Sequence, residues 1–465
     1  MASNTAHSGT ASRYTIPRHI QVSWRLVILL AILYPMLCLI FRFRRVRALR
    51  TALGFTDRQS MATMTSVQAH MILSNMFEWE FPLLFRKSMQ FGLFKTYGIP
   101  TISSLLVSTS QFSDPKTASK RHEDTAVLIG EFIAHRPDSQ RTHQAIGRIN
   151  SLHSPFIKAG KISNQDLLYT LSVFVTEPIA WINRWEWRQL TDMEVCALGT
   201  FWKSIGDAMG IQYSGFLKQD SWRDGIDFVE DITAWAQQFE MEFMVPATTN
   251  KQTADELVRM LLHCVPKRAQ SFGNHVIGYI MGEHLRNAMI HPTPPPRVGK
   301  IVSFTLKFRG FLLRHFFLPR FSKKVEFSDK DLKTGRYYHY EYLVHPYYVR
   351  PTFGNRWGPQ AWMTWALGGT VPGGRDGSKY HPEGYHFEEV GPEKKTPLDK
   401  EKLREWEGQV ERTIPQPAGD PSELLDTSFA EISVGSSLLA SRSDVSSGPV
   451  RRAVAYQWRN TQECV

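Results

Sequence analysis

Asn164 to Val175 reads "NQDLLYTLSVFV", and this stretch decides the fold class. An asparagine that can cap a helix opens it, and nearly every later residue is apolar. A helix apolar on most sides needs other helices around it, so the segment predicts a buried central helix. Pro178 is expected to stop it.

Working outward, the same period recurs. Ser60 to Phe94 places Met, Phe and Leu at helical spacing, and Thr125 to Ala134, "TAVLIGEFIA", continues the pattern. Met193 to Gly210 predicts another helix ending on glycine, as C-terminal caps prefer. Gly225 to Val245, Ala254 to Leu262 and Val276 to Ile290 read likewise, the last ended by "HPTPPP". The expected fold is mainly α. From Lys333 to Tyr385 the chain turns aromatic and rich in Gly and Pro, which predicts an irregular wrap ordered by burying its rings over the helical body.

Leu26 to Phe41, "LVILLAILYPMLCLIF", is an apolar run that Val22 to Trp24 extends to nearly the length of a bilayer span. A cleaved signal peptide is the alternative. More than twenty mostly polar residues precede the run and "RFRRVR" follows it, where a signal peptide would have a small-residue cleavage site, so a retained anchor is expected. Arg42, Arg44, Arg45, Arg47 and Arg50 outnumber Arg13, Arg18 and Arg25, which places the large C-terminal part in the cytosol and the anchor in the endoplasmic reticulum membrane. Residues 1–22 are then lumenal, 23–41 transmembrane, 42–412 the cytosolic domain and 413–465 a disordered tail.

Composition excludes several classes. The net charge of +11 comes without zinc-finger spacing or an RNA-binding aromatic signature, so a membrane surface suits it better than nucleic acid. Cys38, Cys196, Cys264 and Cys464 lie far apart, which fits neither a disulfide framework nor a thiolate metal cage. No cysteine-centred loop of the cytochrome P450 kind stands out. Nucleophile elbows, phosphate loops and dinucleotide fingerprints are missing, and the glycine-rich "GGTVPGGRDG", Gly368 to Gly377, reads as a loop.

Two polar stretches remain. In "RINSLHSPF", Arg148 to Phe156, a step of about 100° per residue puts Ile146, Ile149 and His153 on one side of a helix and Arg148 well away. An imidazole there either donates to a backbone carbonyl or presents a ring nitrogen to a metal, and the pattern alone favours the first. "SKRHEDT", Ser119 to Thr125, reads as a solvated helix start capped by Asp124 or Thr125. Alternatively it is a polar cluster facing a cofactor or substrate, with the Arg121 guanidinium as a fixed donor fork. His275, His284 and His291 are spaced too widely to converge as ligands.

From Arg148 to Ile211, and through "FGLFKTYGIPTIS", "KRHEDTAVLIGE", "NRWGPQAW" and "GYHFEEVGP", the sequence resembles the fungal ER-bound oxygenases of the mycophenolic acid pathway, the MpaB type. That family is distantly related to latex-clearing proteins. The resemblance covers most of residues 25 to 392. It implies a globin-reminiscent helical fold holding haem b, with His153 as the proximal iron ligand and Arg148 as a structural or propionate-side candidate. The latex-clearing pattern R-x-x-K-T falls on Arg121 to Thr125, so Arg121, Asp124 and Thr125 become the catalytic candidates. Asp124 replaces the lysine that can cap the iron, so no distal ligand is assigned, and Asn150 replaces a frequent arginine, which leaves the propionate contacts open. The implied activity is O2-dependent cleavage of a carbon–carbon double bond in the isoprenoid chain of a lipophilic, prenylated secondary metabolite. Rival readings are a haem oxygenase that hydroxylates or rearranges a polyketide or terpenoid, and a non-catalytic haem- or lipid-binding membrane protein.

Overall fold

The protein is seen in a computed structural model that describes residues 24–110, 112, 114–374, 377–392 and 400–414. The expected lumenal segment, Cys464 and nearly all of the expected tail lie outside the described residues. The described chain is mainly α. Two isolated bridges, Phe327 with His339 and Tyr337 with Tyr385, are the β pairings among the described residues.

α1 (Trp24–Leu53) is the long apolar helix. Its first half shows Val27, Leu30, Leu33 and Ile40 to the surroundings, whereas Cys38, Arg42, Val46 and Leu49 are buried against the body. α2 (Arg58–Met61), α3 (Ser66–Ser74) and a π-helical turn at Asn75–Glu80 lead to α4 (Pro82–Thr96) and α5 (Pro100–Ser108). α6 (Pro115–Ala134) and α7 (Gln140–Lys158) follow.

α8 (Asn164–Trp185) is the expected central helix, with Leu171 to Ile182 buried throughout. Its cap is Ser163, one residue before the expected Asn164: the Ser163 side chain accepts from the Asp166 backbone, and the Asp166 side chain accepts from the Ser163 backbone. Pro178 does not stop α8, which runs seven residues past it to Trp185. A proline removes one hydrogen bond, and in a helix buried on every side the packing of its neighbours outweighs that loss. α4 crosses α8 closely at Gly92, where a Cβ would lie 3.2 Å from the Val173 carbonyl oxygen.

α9 (Asp192–Ala208) ends as expected on a glycine, Gly210, at φ +71°. α10 (Gly225–Phe243), α11 (Thr248–Leu261) and α12 (Lys267–Ala288) complete the body, and α13 (Pro296–His315) packs on α1, α8 and α12. The aromatic segment then crosses the body through α14 (Phe353–Trp357) and α15 (Pro359–Ala366), and α16 (Lys400–Thr413) closes over α7.

The wrap is partly what the sequence predicts. Tyr337, Tyr338, Tyr347, Tyr348, Tyr385 and Phe387 are buried, while Phe353, Trp357, Trp362 and Trp365 of α14 and α15 are exposed. A buried ion cluster fastens it: Glu131 of α6 is held by Arg141 at 2.9 and 2.5 Å and accepts from the Tyr385 hydroxyl. The Arg141 guanidinium also lies 4.1 Å over the Tyr337 ring.

Candidate functional site

α6 has two faces, and they do different things. Residues at i, i+3, i+4 and i+7 share a face, so His122, Thr125, Ala126, Ile129 and Ile133 point one way and Lys120, Asp124 and Glu131 another. The cluster Ser119 to Thr125 is therefore not a helix start. α6 begins at Pro115, and Glu123 and Asp124 are buried in mid-helix, because α7 and the wrap cover this turn from a distance in sequence that local signals do not carry.

The first face walls a cavity of about 170 Å³ between α4, α6, α8 and the wrap. Phe77, Phe85, Phe174 and Phe327 supply aromatic walls, and Thr125 is the catalytic candidate that reaches it. Two histidines line it, His122 from α6 and His339 from the wrap. Burial pushes both imidazoles down to about 4, so both are neutral at neutral pH. His339 stacks on Phe327 at 4.8 Å, and its buried Nδ1 has no hydrogen-bond partner.

Glu123 reaches the same cavity, and burial raises its carboxyl to about 8, although one oxygen accepts from the Leu343 backbone N–H at 2.8 Å. At neutral pH His122, Glu123 and His339 are thus held mainly in their uncharged forms. Charge gathers at the half-buried part of the wall, where Arg86 pairs with Glu341 at 2.9 Å. Such a cavity suits an apolar guest and offers it imidazole nitrogens and one carboxylic acid.

The second face carries the remaining candidates. Asp124 accepts from Lys120 Nζ at 2.9 Å and from the Tyr348 hydroxyl at 2.6 Å, and Lys120 also donates to the Gly391 carbonyl at 2.8 Å. Burial raises the Asp124 carboxyl above its usual range, with Lys120 opposing the shift. Arg121 donates to the Thr125 hydroxyl. Arg148 of α7 comes to this side: it is 1 % exposed, its Nε donates to the Val390 carbonyl at 2.9 Å, and its Nη2 is buried without a partner. The helical wheel put Arg148 away from the oily side, yet it is among the most buried large side chains, because the wrap at Val390 covers that other face.

His153 stands on α7, half-buried, and is not among the residues lining the cavity. Asn150, one turn before it, donates to the Ala208 carbonyl of α9 at 3.0 Å. Pro155 lies inside α7, which ends three residues later with Gly160 at φ +66°. The structure thus brings Asp124 and Arg148 to one side of α6 and Thr125 to the other, with His153 apart from the cavity.

Sequence reading passed over His339 altogether. It sits between tyrosines in "YYHYEY", and its segment is held by the bridge to Phe327 and by its own backbone N–H donating to the Tyr348 carbonyl at 3.1 Å, both contacts distant from local signals. Among the described residues no three His, Cys, Asp or Glu side chains are grouped to hold a bare metal ion.

No family model matches the chain. Curated relatives do. Over 363 residues, 77% of this chain and 85% of the relative, it is 42% identical to ER-bound oxygenase mpaB' of Penicillium brevicompactum. It is 39% identical to ER-bound oxygenase mpaB of the same organism over 355 residues, 76% of this chain and 84% of the relative. A third match, 44% identical over 264 residues, is ER-bound oxygenase mpaB of Penicillium roqueforti, covering 56% of this chain and 88% of the relative. The aligned length takes in most of the helical body, so the chain belongs to the family of ER-bound mpaB oxygenases.

Proposed function

We propose that the protein is a haem-dependent oxygenase of the endoplasmic reticulum membrane, with its body on the cytosolic side, that uses O2 to cleave a carbon–carbon double bond in a prenylated, lipophilic metabolite. The observation that carries the reading is the aromatic-walled cavity beside α6 in a chain whose relatives are named ER-bound oxygenases. The apolar first half of α1 supports the membrane, and the five arginines after its apolar run favour the cytosolic side.

Haem b suits the donor set better than a bare ion does, since porphyrin supplies four nitrogens and asks the protein for a single axial ligand. When bound, it would supply the activation of O2. His153 is the ligand that the family resemblance implies. Arg148 fits a propionate, because a buried guanidinium with an unpartnered Nη2 needs an anionic acceptor. The globin-reminiscent reading of the helical body goes with this assignment. A second assignment is favoured by the cavity itself, whose own neutral imidazoles are His122 and His339.

The chain's own residues have separable tasks. The phenylalanine walls exclude water and hold a flexible isoprenoid chain in an extended shape. Arg121 fixes the orientation of the Thr125 hydroxyl at the cavity wall. Glu123, kept protonated by burial, can donate a hydrogen bond to a guest oxygen.

Absorption spectra of the purified chain after haem supplementation test the reading. A Soret band is expected, and His153→Ala should abolish it while His122→Ala and His339→Ala retain it. Loss of the band in either of the latter, with His153→Ala unchanged, moves the ligand to the cavity histidine. No band in the unsubstituted chain removes haem from the reading. A band with a prenylated substrate left intact under O2 favours the hydroxylating or rearranging rival.

A further inference from the structure

α13 is amphipathic in an unusual direction. Its inner side, Val298, Val302 and Gly310, is buried, and Gly310 lies so close to α8 that a Cβ would be 3.2 Å from the Trp185 carbonyl oxygen. Its outer side carries Ile301, Phe304, Phe308 and Phe311, all exposed, with the three phenylalanine rings stacked in a row at 5.7 and 6.5 Å. The chain beyond it, Phe316, Phe317, Leu318 and Phe321, is also exposed, Phe321 at 86 %. A row of this kind facing water would be costly, so something apolar covers it.

The contacts of α1 say what the cover is. Tyr34, inside the apolar run of α1, donates to the Phe316 carbonyl at 3.1 Å. Arg42, where the body begins, donates to the Phe317 carbonyl at 2.8 Å and to the Leu318 carbonyl at 3.2 Å. Eight helical residues separate Tyr34 from Arg42, a rise of about 12 Å. The loop therefore lies along α1 over the last turns of its apolar span, at the depth that the span itself occupies. Charge agrees: no acidic residue stands between Glu283 and Glu326, while Arg297, Lys300, Lys307, Arg314, Arg320 and Lys323 do.

We infer that α13 and the loop Phe316 to Phe321 form a second membrane element, lying in the plane of the interface beside α1, with its phenylalanines in the acyl region and its cations among anionic phospholipid headgroups. An in-plane amphipathic helix with aromatic residues on one face and cations beside them is the form such contacts take. The placement has a consequence for the cavity. From Phe321 the chain reaches Glu326 and Phe327, which line the cavity, within six residues, at most about 20 Å. On the way the Lys324 backbone N–H is fixed to the Glu78 carbonyl at 3.0 Å. The cavity wall is thus continuous in sequence with the membrane element, which keeps the cavity within a short reach of the membrane surface. The inference rests on the anchor and is independent of haem.

The test uses the full chain in phosphatidylcholine vesicles with and without phosphatidylserine. Phe308→Cys and Phe321→Cys are labelled with an environment-sensitive fluorophore, with the unsubstituted chain as the blank for native thiols. Leu332→Cys, at a position 99 % exposed outside this element, is the aqueous reference. Spin-labelled lipid should quench the labels at 308 and 321 severalfold more than at 332, and iodide in water should do the reverse. Lys300→Glu combined with Lys307→Glu should reduce the lipid quenching at 308 in the phosphatidylserine vesicles while α1 keeps the chain in the membrane. Equal iodide quenching at 308, 321 and 332 would overturn the inference. So would labels shielded in native microsomes and not in pure lipid, which would point to a protein partner.

Discussion

His339 shows how strongly burial can act on one side chain. Its neutral form is favoured because the charged form would lose hydration among Phe327 and the cavity walls. The sign of the pH effect follows. Its folded pKa is about 4 against 6.5 for the free imidazole, so between those values the unfolded chain binds more protons. Stability is whole above about pH 6.5 and falls as pH drops toward 4, by up to about 3 kcal/mol from this one group. Thermal unfolding measured across that window should show the decline, and His339→Phe should lessen it, with His70 and His122 supplying the rest; an identical slope in the variant would count against the buried imidazole. Glu123 acts oppositely. Its carboxyl is raised to about 8, so it costs stability as pH climbs from about 4.5 through 8, and Glu123→Gln should lessen that alkaline loss.

Helix pairs depend on close backbone approach and on one buried ion cluster. α9 and α10 meet at Gly199 and Gly225: a Cβ on Gly225 would lie 2.1 Å from the Cys196 carbonyl oxygen, and one on Gly199 2.0 Å from the Gly225 carbonyl oxygen. Backbone cannot swing aside as a side chain can. Gly225→Ala should therefore destabilise by about 3 kcal/mol or more, visible as an earlier denaturant midpoint, whereas a neutral effect would show the two helices free to separate. α4, α8 and α10 are tied by Lys95, which sits 3.0 Å from Glu177 and 2.7 Å from Glu240. The two carboxylates hold the Lys95 ammonium above its usual range. Lys95→Met would leave both carboxylates buried together, and a loss of about 3–5 kcal/mol is expected in urea unfolding. Raising Lys95→Met with Glu177→Gln should recover part of that loss, since one of the two stranded charges is removed.

For the whole molecule, α1 has two roles. Its first half is exposed and apolar, and its second half enters the core through Val46 and Leu49, with Arg42 lying 5.0 Å over the Trp187 ring. The apolar helix is therefore built into the body as one of its helices. Removing residues 24–53 should unfold the protein and not release a soluble enzyme, as circular dichroism of the truncated chain would report. Detergent-free solubility with native helix content would refute this.

Helix positions, the long apolar N-terminal helix and family membership were legible because each rests on local pattern. Apolar spacing, the Gly210 stop and a continuous lipid-length run need no knowledge of distant chain. The long motif from Arg148 to Ile211 carried the family for the same reason, and relatives 39% and 42% identical bear it out. The face that each helix buries was decided only by tertiary packing. Arg148 was placed away from the apolar side, and what it meets there was decided only when Val390, 242 residues later, came to accept from it. Asp124 and Glu123 read as a charged helix start until Tyr348 and Leu343 reached them from 224 and 220 residues away. A helical wheel records which residues share a side. Which side meets solvent depends on where the rest of the chain returns, and in this protein the wrap and α16 return over sides that the local pattern had left open.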